Sequence, residues 1–198
     1  MRDVSRETAA RLERHAALLR KWTQRINLVS RASLPELWQR HIADSMQLWD
    51  LAPHPVSHWA DLGSGGGFPG LVIAILAIER GSPARVSLVE SDQRKAAFLR
   101  TAIRETGAPA EVIAARAEAL APLGAEVLSA RALADLPRLL GHVAHHMRPE
   151  GTALLPKGAR WQKEVEAARQ TWNFDLELAK SQTEAEAVIL RIRGVARV

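Results

Sequence analysis

Asp61-Leu62-Gly63-Ser64-Gly65-Gly66-Gly67-Phe68-Pro69-Gly70 joins a short strand-like run to the apolar stretch Leu71-Val72-Ile73-Ala74-Ile75-Leu76-Ala77. Glycines without a Cβ let main chain take positive φ and come close to a ligand, and Pro69 is pre-set for the first turn of a helix. A strand, a glycine turn and a helix in that order make the phosphate- or nucleoside-cradling corner of an open α/β sheet.

On either side of that corner the pattern alternates. Apolar runs near 57–62, 86–90, 111–114, 126–130 and 151–155 read as strands, and helical segments near 69–79, 92–106, 117–121, 135–147 and 159–171 separate them. Such βα alternation predicts a parallel sheet covered by helices on both faces. Two more strand-like runs, 174–180 and 186–193, follow one another with no helix between them and pair as an antiparallel hairpin. The expected fold is therefore a Rossmann-like, seven-stranded α/β sheet.

Ahead of it the texture is helical. Ala9, Leu12, Ala16, Leu19, Trp22 and Ile26 recur at three- and four-residue steps behind Ser5 as a cap, which predicts a helix over about 5–28. A second helix is predicted from Pro35, with Leu37, His41, Ser45, Leu48 and Trp49 on one face, ending before Pro53 and Pro55. The chain thus divides into an N-terminal helical extension over 1–55 and a cofactor-binding domain over 56–198.

The 198 residues contain no cysteine, which excludes disulfides, thiolate metal sites and cysteine nucleophiles and suits a reducing, cytoplasmic setting. Arg2, Asp3, Arg6, Glu7 and Arg11 leave no apolar core for a leader, and no run is long enough to span a bilayer, so a soluble protein away from membranes is expected; a monomer is the expected state, with nothing in the residues that fixes it. The net charge of +5 lies in the flanks: nine basic and six acidic groups up to residue 55, ten and ten over 56–150, eight and six beyond. A basic balance suits a polyanionic partner such as RNA, and equally suits ordinary solubility.

Gly65, Gly67 and Gly70 satisfy G-x-G-x-x-G, so an NAD-linked oxidoreductase has to be weighed. Asp61 at the strand end, Gly63 two residues on, and no room for a second catalytic domain favour S-adenosylmethionine instead. A carboxylate at Asp61 could engage the positively charged methionine end, or could simply cap its own turn. Gly63, Ser64, Gly65 and Phe68 then form the cradle for the methionine part. Glu90, at the tip of the second strand, is placed to accept the ribose hydroxyls. Ala117 and Glu118, after the third strand, fall beside the adenine. Arg131, after the fourth, offers a fixed cation for the cofactor carboxylate or an RNA phosphate. Lys157 stands at the cleft rim, facing either substrate or solvent.

His142 and His146 have helical metal-ligand spacing but no third ligand, so no metal is assigned. The six tryptophans read as core or edge groups rather than base-stacking platforms.

The residues the chain lacks narrow the chemistry of a methyltransferase. Methylating pyrimidine C5 calls for a cysteine nucleophile, and exocyclic amines call for a Pro-Pro-aromatic loop; the chain has no cysteine, no tyrosine and no Pro-Pro pair. A ring nitrogen with a free lone pair, such as guanine N7, needs only in-line placement and desolvation, and hence no general base.

Several blocks together resemble a known family. Asn27-Leu28-Val29, Arg40-His41-Ile42-Ala43-Asp44-Ser45, Asp61 to Gly70, Leu88-Val89-Glu90-Ser91 with Arg94-Lys95 and Phe98-Leu99, Arg131-Ala132 and Lys157-Gly158 are similar in order and spacing to the RsmG methyltransferases, also called GidB. That resemblance implies a class I S-adenosylmethionine-dependent fold and methylation of guanine N7 in the 530-loop of 16S rRNA, with the small ribosomal subunit or its rRNA as partner. It carries cofactor contacts onto Gly63, Phe68, Ala117, Glu118 and Arg131, and brings Arg40, His41 and Asp44 to the cleft border. Ala130 departs from the family pattern, which often has serine before the arginine. A non-catalytic rRNA-binding assembly factor on the same fold is the remaining alternative.

Overall fold

The run Gly70–Arg80 forms helix α3, buried along Gly70 to Ala77 and stopped by Gly81, whose positive φ of 67° and N–H to Ala77 O close the last turn. Along Gly70 to Ala77 no face is left for solvent, so this part of the helix is sandwiched between the sheet and other helices. A computed structural model describes residues 4–198; Arg2 and Asp3 lie outside the described residues.

Seven strands make one sheet: β1 His58–Leu62, β2 Arg85–Val89, β3 Ala110–Ile113, β4 Ala125–Ala130, β5 Met147–Lys157, β6 Trp172–Lys180 and β7 Val188–Arg197. Their order is β3-β2-β1-β4-β5-β7-β6, parallel through β5, with β7 antiparallel to both neighbours. The order reverses between β1 and β4, where Asp61 lies beside Ser129 and Leu62 beside Ala130. That switch point opens a crevice beyond the C-terminal strand ends, directly below the glycine turn.

On one face, helices α1 (Arg6–Thr23), α2 (Asp44–Leu51), α3 and α4 (Gln93–Thr106) share a single hydrophobic cluster with the sheet. Leu12, Ala16 and Leu19 of α1 are fully buried in it, so the helical prefix is built into the same core as the sheet. Helices α5 (Leu136–His146) and α6 (Trp161–Ala168) cover the other face, sharing a second cluster with strand residues that include Trp172, Phe174, Leu190 and Ile192 of β6 and β7. Among the described residues no helix is long and apolar enough to cross a membrane.

Several predicted segments have different extents. Helix α1 stops at Thr23, because Ile26 and Leu28 fold back to pack on the core. The segment predicted from Pro35 begins as a widened π-helical turn, Trp38–Ala43, before continuing as α2. That geometry is uncommon and recurs at functional sites. The predicted helix at 117–121 is only a 3-10 turn, Ala117–Ala119. Strand β5 reaches back to Met147, with a register shift against β4.

Candidate active site

The glycine loop is held from below and from both sides. Gly63 N and Ser64 N both donate to Val89 O, at 2.9 and 3.1 Å. Ser64 O accepts from Gly67 N at 2.7 Å and Phe68 N at 3.1 Å, and its hydroxyl turns inward to Asp61 O. Of Gly63 to Gly70, only Gly63 and Gly65 keep appreciable exposure, and both have positive φ (69° and 53°). These two main-chain segments are the face the loop presents to a ligand. A Cβ at Gly63 would sit 2.9 Å from Leu133 Cδ1, whereas one at Gly65 would meet nothing nearer than Gly63 O at 3.7 Å.

Asp61 does not reach the crevice. Its carboxylate has no exposure, and its oxygens accept from Ser129 Oγ at 2.7 Å and Gly70 N at 3.1 Å. Burial pushes its pKa up to about 6, against the hydrogen bonds from Ser129, Ser64 and Gly70 and the field of Arg131. Of the two readings open from sequence, the structure has the second: the carboxylate caps its own turn and joins β1, β4 and the start of α3. Gly70 is obligatory for this arrangement, since a Cβ there would lie 2.5 Å from Asp61 Cβ and from Leu88 Cδ2.

Glu90 stands at the tip of β2, 7% exposed, and spans two main-chain donors, Gly65 N at 2.9 Å and Asp92 N at 2.8 Å. Each carboxylate oxygen retains acceptor capacity beyond these bonds, so the group shapes the loop and keeps lone pairs for a further donor. Ala117 and Glu118 lie on the 3-10 turn after β3. Ala117 O takes His146 Nε2 at 3.0 Å, and Glu118 Oε1 lies 3.6 Å from His142 Nε2. These two histidines therefore serve the β3–β4 connection rather than one another.

Phe68 is 3% exposed, its ring closed in by three neighbours. His41 stacks on it at 5.1 Å between centroids, His15 tilts against it at 5.1 Å, and the Arg131 guanidinium lies 5.1 Å from its centroid. Its role here is to tie α1, the π-helical turn and the β4–α5 loop to the glycine loop. His15, fully buried on α1, lies 2.8 Å from Gly66 O through Nε2. A carbonyl only accepts, so Nε2 carries the proton and Nδ1, which has no partner, is bare. Burial holds the His15 pKa down at about 4. Sequence reasoning missed this hook; the only trace is a histidine on the apolar face of α1, between Leu12 and Ala16.

Arg131 closes the crevice. Its Nη2 lies 2.9 Å from His41 Nδ1, its Nη1 3.3 Å from Arg40 O and 3.6 Å from Asp44 Oδ2. Since a guanidinium only donates, His41 accepts through Nδ1 and gives its Nε2 proton to Ser33 Oγ at 2.9 Å. Burial, then the charges of Arg131 and Arg40, push the His41 pKa down to about 4, which keeps the ring in that neutral tautomer. Next to Arg131, Ala132 takes the left-handed conformation at φ 55°, and half-exposed Leu133 then overhangs Gly63.

Beyond Leu133 opens a second concavity of about 880 Å³, walled by Arg40, the loop Arg131 to Asp135, Pro156 to Gly158, and the β6–β7 connection. Leu133 and Arg131 thus line a cleft large enough for a nucleotide, and Leu133 also meets the glycine loop at Gly63. Lys157 lines this cleft but is not a free cation: its Nζ donates to Glu164 Oε2 at 2.7 Å and Ala134 O at 3.1 Å, with the side chain 10% exposed. It braces the Arg131 loop, as does Glu164, which also accepts from Leu136 N.

The strand order, the glycine turn and the acidic tip of β2 define the class I S-adenosylmethionine-dependent methyltransferase fold. Solved structures agree. A TehB-like SAM-dependent methyltransferase from Corynebacterium glutamicum superposes with TM-score 0.61 at 14% identity, over 90% of this chain and 98% of that one. A mutant of MtNAS in complex with S-adenosylmethionine gives TM-score 0.61 at 14% identity, over 94% and 76%. The chain belongs to the GidB family, rRNA small subunit methyltransferase G, whose family model matches residues 8–190. Proteins named ribosomal RNA small subunit methyltransferase G from Ruegeria pomeroyi and Paracoccus denitrificans are 55% and 50% identical, covering 99% and 98% of this chain and 96% and 98% of theirs. The family match sets aside the NAD-linked reading of the glycine spacing.

S-adenosylmethionine is the donor of this class of fold, and the residues present fit it. The two exposed glycines of positive φ offer a backbone surface free of Cβ atoms, the Glu90 carboxylate stands at the tip of β2, and the Arg131 cation lies over the Phe68 ring of the same loop.

Proposed function

We propose that this chain is an S-adenosylmethionine-dependent methyltransferase that modifies N7 of a guanine in the 530-loop of 16S rRNA, the position customarily numbered 527. The observation that carries the reading is the family match over residues 8–190, joined to a nucleotide-sized cleft that meets the glycine loop at Leu133 and Arg131. The N7 assignment rests on the groups the chain lacks. It has no cysteine to add to a pyrimidine ring, and no Pro-Pro-aromatic loop to activate an amine.

When bound, the donor supplies an electrophilic methyl group. In this reading Gly63 and Gly65 hold its amino-acid end, Glu90 takes the ribose hydroxyls, the turn at Ala117 and Glu118 borders the adenine, and Arg131 neutralises a carboxylate or a phosphate. Leu133 excludes water at the junction. N7 carries no proton, so no side chain has to remove one, and positioning with desolvation supplies the rate.

The test is mass mapping of 16S rRNA from a strain lacking the gene and from the same strain complemented. Loss of N7-methylguanosine from the 530-loop and its return on complementation are expected. A full complement of that nucleoside in the deletion strain contradicts the proposal and favours the assembly-factor reading.

A further inference from the structure

The β6–β7 connection sends its side chains back towards Arg131 through an intermediate carboxylate. Asp44 Oδ2 lies 3.6 Å from Arg131 Nη1, while Asp44 Oδ1 takes two donors, Thr183 Oγ1 at 2.7 Å and Gln47 Nε2 at 2.8 Å. Gln47 is in turn fixed by Gln182 N, which donates to its Oε1 at 2.9 Å.

The hydroxyl protons along this path have one consistent direction. A carboxylate only accepts, so the single Thr183 proton goes to Asp44. Thr183 Oγ1 is then an acceptor for Ser181 Oγ, 3.0 Å away, and Ser181 Oγ accepts from the Thr183 and Glu184 amides at 3.2 Å. Every donor in the chain points towards Asp44, the arrangement in which successive hydrogen bonds reinforce one another. Asp44 itself sits at the junction of the π-helical turn and α2, so its carboxylate is placed by backbone from one side and by the β6–β7 loop from the other.

The geometry points to Thr183 as a positioning residue of the methyl transfer: by holding Asp44 Oδ1 it fixes the carboxylate whose other oxygen anchors Arg131 between the donor crevice and the acceptor cleft. This deepens the function proposed above and rests on it. Thr183 lines the acceptor cleft, so the wall that receives the nucleotide also sets the cation beside it.

Thr183→Val keeps the side-chain shape and removes the hydroxyl, and Thr183→Ser keeps the hydroxyl. Single-turnover transfer to small-subunit rRNA is measured for wild type, both variants, Arg131→Lys, and Thr183→Val combined with Arg131→Lys. Thr183→Val should slow transfer about tenfold at saturating donor and substrate, Thr183→Ser should restore it to within about twofold, and adding Thr183→Val to Arg131→Lys should cost nothing further. An unchanged rate for Thr183→Val, a serine variant as slow as valine, or full additivity in the double variant overturns the inference. An inert wild type overturns the underlying functional reading instead. Should Thr183→Val fail to fold, Thr183→Ala removes the same hydroxyl and is read by the same criteria.

Discussion

The glycine loop is pinned by buried groups from α1, β1 and β2, whereas the opposite wall of the crevice is held by charged and polar side chains reaching between the loop after β4, the π-helical turn, α2, β5 and α6. His15 takes Gly66 O, Glu90 takes Gly65 N and Val89 O takes two amides, all under the core. Across the crevice, Arg131 leans on Asp44 and His41, and Lys157 on Glu164. In the function proposed above, donor binding is thus preorganised by packing while the acceptor side is set by electrostatics. One wall should respond to changes of volume, the other to changes of charge.

Volume changes on the donor side should do most. Gly63→Val puts a branched Cβ into the 2.9 Å gap below Leu133 at a φ of 69°, and is expected to weaken S-adenosylmethionine binding at least about a hundredfold by calorimetry. Unchanged affinity would move the cradle elsewhere. Next comes His15→Leu, which strands the Gly66 carbonyl; a loss of about 2 kcal/mol in urea unfolding is expected, with weaker donor binding. A variant as stable as wild type would show that α1 does not hold the loop.

Acid sharpens the comparison through groups of both walls. His15 and His41 titrate at about 4 in the folded protein, against 6.5 free, so their contribution is intact above pH 6.5 and is lost as pH falls towards 4. Asp61, raised to about 6 from 3.8, works the other way: its contribution is full below pH 3.8 and is lost as pH rises through 6. Two histidines outweigh one aspartate, and burial lowers His58 and His146 in the same sense, so unfolding between pH 4 and 6 should take up protons and stability should fall with acidification. Stability that rises over that range would contradict these assignments. The smallest effect is expected from Lys157→Ala: about 1 kcal/mol of stability from the lost brace, with the salt dependence of RNA binding unchanged. A shallower salt slope would return Lys157 to the role of a phosphate contact.

The sheet was legible because its strands are short apolar runs with turn residues between them, and the glycine turn because positive φ leaves few other choices. The hairpin after α6 was legible from two strand patterns with no helix between. What stayed hidden depends on partners far away in the chain. His15 looks like any histidine on a helix until Gly66 is brought to it, and Lys157 like any rim cation until α6 delivers Glu164. Asp61 could face in or out by local sequence alone; Ser129 and the Gly70 amide, brought in by the fold, decide it. The widened turn at Trp38–Ala43 carries no local signal, yet it places His41 and Asp44 on either side of Arg131.

The central claim is that the turn after β1 holds a methyl donor for a guanine ring nitrogen, and transfer of a labelled methyl group to unmodified 16S rRNA, located by chain cleavage at N7-methylguanine, tests it most directly. Label is expected at a single guanine N7 with wild type and none with Gly63→Val. Label on a pyrimidine carbon or an exocyclic amine, or transfer by Gly63→Val at the wild-type rate, would contradict it.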